Sequence, residues 1–387
     1  MPPIQVNRRR FLGCSAAAGI ALAQGMPADG GVPPRPVRLG LIGLGNRGTT
    51  LLRTALEIPG VEVAAVHDAE PRHANRAQGI AEKARGHRPE ACETWTRLLE
   101  RTDLDAVAIA LPCDLHAAAY VAAMRAGKHL YAEKPLAPTV AECDALIDES
   151  ARAADLIVHV GFQRRSSARY REAVELIGRG ELGTLVEGRA SWISSNGPVN
   201  GHDGWLARRE RSGDWMVEQA VHVWDLFHWI RGSSPTRAFG HGRRDLFAAV
   251  QPDRDVTDHY SVTLEWADGF HLHFTQSWID PADDAFTGAW QRVIGTAGGL
   301  DLGTGVATFR DRARPRRTLG AGQGPDAPTG LPAFIDAVRR GTAGATAPPA
   351  SLIDAREATI TGLLVRRAVD ERRAVLRDEV LAAGHLA

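Results

Sequence analysis

Short, uninterrupted apolar runs alternate with helical stretches through the first 160 residues. Val37–Ile42, Val61–Val66, Asp105–Leu111, His129–Ala132 and Ile157–Gly161 read as strands. Their apolar positions are nearly continuous, which marks strands buried on both faces of a parallel sheet. Thr49–Glu57, Cys92–Glu100, His116–Ala126 and Thr139–Ala154 read as helices between them. This alternation predicts a doubly wound α/β sheet. Later in the chain the spacing changes. Leu185–Ser194, Tyr260–Trp266 and Phe270–Ile279 read as strands, with Asp268-Gly269 as a hairpin turn between the last two. Helices are predicted from Gly213 to Arg231, near Pro332–Arg340, and from Ser351 to Glu371.

The first strand runs into Gly43-Leu44-Gly45-Asn46-Arg47-Gly48 and then a helix. This is G-x-G-x-x-G in strand–turn–helix context. The glycines serve a tight turn, close approach of backbone to a pyrophosphate, and close helix–strand packing. The helix N-terminus offers unsatisfied N–H groups to the phosphates. Asp68 ends the second strand, where an acid holds the adenosine ribose hydroxyls. These features predict a dinucleotide site, with NAD favoured over NADP. Arg72 is near enough to keep NADP open.

At 387 residues the chain is long enough for about two domains. Lys+Arg and Asp+Glu both number 46, and the absence of a basic block argues against nucleic acid. No apolar run reaches the roughly 18 residues of a membrane span. The first residues read as an address. Arg8-Arg9-Arg10-Phe11-Leu12 before an Ala/Gly-rich run resembles a twin-arginine export signal, with a cleavage site at Ala21-Leu22-Ala23. A periplasmic or extracellular location follows as an expectation. Cys14, Cys92, Cys113 and Cys143 match neither a zinc site nor a disulfide framework. The expected division is a signal and linker over 1–36, a dinucleotide domain over 37–160 and a second domain over 161–387.

In combination, Gly43-x-Gly45-x-x-Gly48, Asp68, Pro112 with His116, Glu133-Lys134-Pro135 and Gly161-Phe162-Gln163-Arg164-Arg165 resemble the Gfo/Idh/MocA oxidoreductases over roughly residues 37 to 300. The resemblance implies a Rossmann domain followed by an α+β domain. That second domain's open, mostly antiparallel sheet carries the substrate and often the homo-oligomer contact. It places Gly43, Gly45, Asn46, Arg47, Gly48, Asp68, Pro112, His116, Glu133, Lys134 and Gln163 around the cofactor. The family stretch Asp-x-Gly-x-His-x-x-Asp becomes Glu218-x-Ala220-x-His222-x-x-Asp225 here. The acid is longer by a methylene and the glycine is alanine.

Lys134, Glu218 and His222 are the candidate catalytic residues. Burial and cationic neighbours can lower a lysine pKa toward acid/base use. Hydride transfer from a carbinol needs a base for the hydroxyl proton, and histidine suits that task. On a single helix Glu218, His222 and Asp225 share one face. Arg164, Trp215 and Asp225 are the candidate substrate contacts, with Asp225 equally able to orient His222. Eight of nine tryptophans lie beyond residue 190, and most are assigned to the core. His271 and His273 share a strand face, but no third metal ligand is evident, so they read as solvated or interface residues and no metal is expected. Three functions compete. One is an NAD-dependent sugar or polyol oxidoreductase, another an NAD-dependent glycoside-cleaving enzyme, and the third a non-catalytic sugar or dinucleotide sensor. Export favours a retained cofactor, because free NAD is expected to be scarce outside the cytoplasm.

Overall fold

The computed structural model describes residues 35–320, 330–341 and 350–384. The twin-arginine segment, Cys14, Ala23 and nearly all of the linker lie outside the described residues. Pro36–Ala387 forms one compact unit.

Six parallel strands make the first sheet: β1 (Val37–Ile42), β2 (Val61–His67), β3 (Glu90–Ala91), β4 (Ala106–Ile109), β5 (His129–Ala132) and β6 (Val158–Val160). Their order is β3-β2-β1-β4-β5-β6, so the chain reverses direction of travel between β1 and β4. A ligand crevice forms at the carboxyl ends of such strands, at the switch point. The connecting helices are α1 (Asn46–Glu57), α2 (Pro71–Arg85), α3 (Trp95–Leu99), α4 (His116–Arg125) and α5 (Val140–Arg152). All four residues of β4 are buried, which explains its uninterrupted apolar sequence. The short β3 carries no apolar run and was not foreseen.

Short helices α6 (Gln163–Ser166) and α7 (Ala168–Gly178) lead into the second sheet. Its strands are β7 (Leu185–Ile193), β8 (Arg237–Arg243), β9 (His259–Glu265), β10 (His271–Ser277), β11 (Gly288–Gly295), β12 (Gly298–Asp301), β13 (Val306–Phe309), β14 (Arg317–Thr318) and β15 (Val375–Leu376). The order is β14-β13-β12-β11-β7-β10-β9-β8-β15. All pairs are antiparallel except β10 with β7. Alternate residues Leu272, Phe274 and Gln276 of β10 are buried, whereas His273 on the other face is exposed. One face of the sheet is therefore covered and the other open.

Helices α8 (Arg209–Ser212), α9 (Trp215–Glu218), α10 (Val221–Arg231), α11 (Leu331–Arg340), α12 (Leu352–Glu371) and α13 (Arg377–Gly384) complete the described chain. The predicted single helix from Gly213 to Arg231 is two helices. Asp214, at φ 73°, caps α9 with its own carboxylate, and α10 starts after Ala220. The break separates Glu218 from His222, so they do not share a continuous helical face. Helix α12 approaches α9 closely. A Cβ on Gly362 would lie 2.4 Å from the Met216 carbonyl oxygen, so glycine is required for that contact. Helix α11, far along the sequence, packs on the first sheet through Leu331, Phe334 and Ile335.

Candidate active site

The glycine turn lies at the end of β1, and each of its three glycines meets a different constraint. Gly43 has φ +82°, and a Cβ there would lie 2.3 Å from the Ala110 carbonyl oxygen. A Cβ on Gly48 would lie 1.8 Å from the Gly43 carbonyl oxygen. Gly45 is different: a Cβ there meets nothing within 4 Å. Its side is open space of the kind a ligand backbone needs. Asn46 is exposed at the start of α1, and no side chain caps that helix. Its first N–H groups remain available to an anion.

Asp68 braces this turn. Its Oδ2 accepts from the Leu44 N–H at 2.6 Å, and Oδ1 accepts from the Glu70 N–H at 2.8 Å. Arg76, which sequence reasoning missed, donates to the Leu44 carbonyl at 2.7 Å. Arg72 turns to Glu70 and His202. The residues present therefore fit a dinucleotide: a tight turn, an open approach at Gly45, an uncapped helix and an acid at the ribose position. Gly45→Val is expected to fold normally but to weaken NAD binding about tenfold or more, because the branch enters the pyrophosphate approach. Gly48→Ala is expected to lose about 1–3 kcal/mol of stability, since backbone must move to admit the methyl. Thermal melts and NAD titration of the two variants separate these effects.

Arg47 reaches from the turn to the loop after β5, where its Nε donates to Glu133 Oε1 at 2.6 Å. Glu133 is buried, and burial raises its pKa against the pull of Arg47 and Lys134. Its backbone carbonyl accepts from Tyr120. Pro112 precedes a 3-10 turn, Cys113–Leu115. His116 is buried, with Nδ1 2.7 Å from the Pro135 carbonyl oxygen and Nε2 2.9 Å from that of Leu111. Both ring nitrogens face backbone. His116 therefore ties the loop after β4 to the loop after β5. Gln163 begins α6 at the end of β6 and is partly buried.

Lys134 sits in that same β5 loop. Its Nζ donates to Glu218 Oε1 at 2.6 Å and to the Glu218 carbonyl oxygen at 2.8 Å. Burial works to lower the lysine pKa, but Glu218, Cys113 and Glu133 outweigh it, and the net shift is upward. The expected downward shift is thus reversed, because the carboxylate is in contact with the ammonium. Lys134 is a cation and a donor. The Glu218 carboxylate and its own carbonyl together grip one ammonium. Ala220 replaces the family glycine without strain, at φ −66° and ψ −13°.

His222 has the opposite character. Burial drives its pKa well below the usual histidine value, and Lys134, Arg164 and Arg47 push it the same way. The ring is neutral at pH 7. Among the described residues Nδ1 is enclosed without a hydrogen-bond partner. Trp192 stacks on it at 6.2 Å between centroids, and Phe162 meets it edge-on at 5.9 Å. Arg164 lies 5.8 Å from the Trp192 ring and donates to the His222 carbonyl at 2.9 Å. Trp192, on β7, was not singled out in the sequence, where nothing separates it from the core tryptophans.

Two substrate candidates fall elsewhere. Asp225 accepts from Arg165 Nε at 2.9 and 3.1 Å in a buried ion pair, and no bond joins it to His222. Its charge is drawn to the nearer guanidinium. Trp215 is buried against Trp278 at 4.8 Å and forms core, so it offers no sugar platform. The β7–β10 pairing brings a carboxylate, Glu187, beside His271 and His273, which the sequence did not show.

The family model described as an oxidoreductase family with an NAD-binding Rossmann fold matches residues 37–162, and the GFO/IDH/MocA C-terminal domain matches residues 170–301. An inositol 2-dehydrogenase of Acidothermus cellulolyticus is 31% identical over 258 residues, which are 62% of this chain and 69% of that protein. The chain belongs to the Gfo/Idh/MocA family. A glycosyl hydrolase family 109 protein of Shewanella pealeana is 29% identical over 219 residues, 49% of this chain and 46% of that one. Among solved structures, the aldose-aldose oxidoreductase of Caulobacter crescentus superposes with a TM-score of 0.72 at 21% identity, covering 88% of this chain and 100% of that chain. The two family models cover the first sheet and the second as far as β12, and the first is an NAD-binding Rossmann domain.

Proposed function

We propose that this protein is an NAD-dependent oxidoreductase that removes hydride from a carbinol carbon of a sugar, polyol or glycoside. The observation that carries this reading is the pairing of a lysine held protonated by Glu218 with a neutral, buried histidine four residues beyond that carboxylate. A sensor has no need of such a proton-handling pair.

Bound NAD supplies the hydride acceptor, its nicotinamide C4. The glycine turn and the α1 N-terminus would hold the pyrophosphate, and Asp68 would hold the ribose hydroxyls and disfavour a 2′-phosphate. An ammonium has three N–H donors. Glu218 takes two at Lys134, which leaves one for the reacting oxygen of the substrate. His222 Nε2 takes the hydroxyl proton as the carbonyl forms. The Trp192 and Phe162 rings fix the imidazole plane.

The inositol dehydrogenase relative supports a polyol or sugar as substrate. The family 109 relative supports a second reading, in which transient oxidation of a ring hydroxyl acidifies the adjacent C–H and permits glycosidic elimination. Arg9-Arg10-Phe11-Leu12 supports export by the twin-arginine route to the periplasm or beyond. For an exported enzyme, a cofactor that stays bound in a cycle without net redox change avoids dependence on free NAD. The open sheet face, where Phe239 is 43% exposed, suits a homo-oligomer contact.

The test uses full-length protein purified without added coenzyme. Denaturation is expected to release near-stoichiometric NAD(H), and addition of myo-inositol, free sugars or aryl glycosides to change absorbance near 340 nm. Glycoside cleavage without NADH accumulation selects the second reading. Absence of both redox change and cleavage across the panel, with NAD bound, sinks both.

A further inference from the structure

The open face of the second sheet carries a group with no part in the site above. His271 and His273 project from β10, and Glu187 projects from β7 directly beside His271. These two strands are the one parallel pair among the described strands of that sheet, and their register brings residues more than eighty positions apart together. One ligand atom from each of the three side chains lies within 4.8 Å of the others. His273 Nε2 is 3.8 Å from Glu187 Oε1, and the two imidazoles meet edge-on at 5.1 Å.

We propose that Glu187, His271 and His273 bind a divalent transition-metal ion of the zinc or nickel type. Two imidazoles and one carboxylate are the ligand set such ions favour. A tetrahedral zinc site spaces its donor atoms about 3.3 Å apart, so closure takes about 1.5 Å of side-chain movement. His273 is 52% exposed. The site also has an outer partner. Thr263 Oγ1 on β9 lies 3.0 Å from His273 Nδ1. With Nδ1–H donating there, Nε2 turns its lone pair toward Glu187, the arrangement by which proteins orient metal-binding histidines. The ion staples β7 to β10, and water fills its fourth position.

The competing group is Arg189, whose Nε and Nη2 donate to the two Glu187 oxygens at 2.7 Å each. Its side chain is 54% exposed, so it can swing away. Glu265 stands opposite His271 on β9 and is engaged by Arg237. Arg189 therefore sets the affinity without abolishing the site.

The experiment is equilibrium dialysis of chelator-treated full-length protein, without a polyhistidine tag, against zinc chloride and nickel chloride. The wild type is expected to take up one site's worth of metal that His271→Ala, His273→Ala and Glu187→Gln each weaken by about tenfold or more. Thr263→Val is expected to weaken it about tenfold while leaving all three ligands in place. Arg189→Ala is expected to tighten it. His241→Ala, on the same face but outside the group, is expected to bind like the wild type. Circular dichroism checks that each variant folds. The proposal is overturned if the ligand variants bind like the wild type, or if the wild type takes up no metal at about 100 µM.

Discussion

Lys134→Met is expected to lower kcat/KM by about a thousandfold while leaving the NAD dissociation constant within a few-fold. Methionine keeps the length and removes the charge. The lost group is the donor at the oxygen where charge changes during hydride transfer, so the effect falls on the chemical step. Lys134→Arg is not expected to rescue, because a planar guanidinium cannot repeat the grip of one ammonium by both Glu218 oxygens. Glu218→Gln carries a signature in the pH profile. In the wild type the lysine pKa lies above its usual 10.5, so no alkaline limb from Lys134 appears below that pH. Removing the carboxylate leaves burial as the main influence, and the alkaline limb moves below 10.5. Steady-state rates from pH 6 to 10.5 with the best substrate of the panel read this directly. An unchanged limb in Glu218→Gln, or near-normal turnover in Lys134→Met, would show that the lysine is not the donor.

His222→Asn is expected to cost about a hundredfold to ten-thousandfold in kcat/KM. Asparagine keeps a polar planar group but cannot take a proton. The pH profile separates this role from a structural one. Burial and three cations hold the wild-type imidazole neutral to well below 6.5. The base is therefore present through the neutral range and is lost only as pH falls through the depressed value. The acid limb of kcat/KM is expected below pH 6.5 in the wild type and to be absent in His222→Asn. Arg164→Met removes one of those cations and is expected to move that limb upward, toward 6.5. A wild-type limb at or above 6.5 would contradict the neutral, buried base.

Much of the site was legible because local rules wrote it. The glycine turn needs Gly43 at positive φ and Gly48 without a Cβ, and those demands act within six residues of one another. β1, β4 and β5 are buried on both faces, so their apolar runs declare a parallel sheet. Lys134 and His222 were singled out as candidates through the Glu133-Lys134-Pro135 motif and the Glu218-x-Ala220-x-His222-x-x-Asp225 stretch. The helix from Gly213 to Arg231 was misread because Gly213, Asp214 and Ala220 do not spell a break. Asp214 instead pays for its positive φ with bonds to Arg209, Trp215 and Thr257, and two of those partners lie outside the local stretch. Burial alone suggested a lowered lysine pKa, whereas the Glu218 contact, 84 residues away, set the opposite sign.

The sequence by itself determined the family, the dinucleotide turn with its acid, and the residue types available for proton transfer. Each of these depends on spacing within a few residues, where backbone geometry leaves few choices. Tertiary structure alone decided which partner each charge found. Asp225 went to Arg165 and not to His222, Glu218 to Lys134, and Trp192 to the His222 ring. Such pairings are made across strands and loops from distant parts of the chain. They are fixed by burial and strand register, which no local pattern encodes.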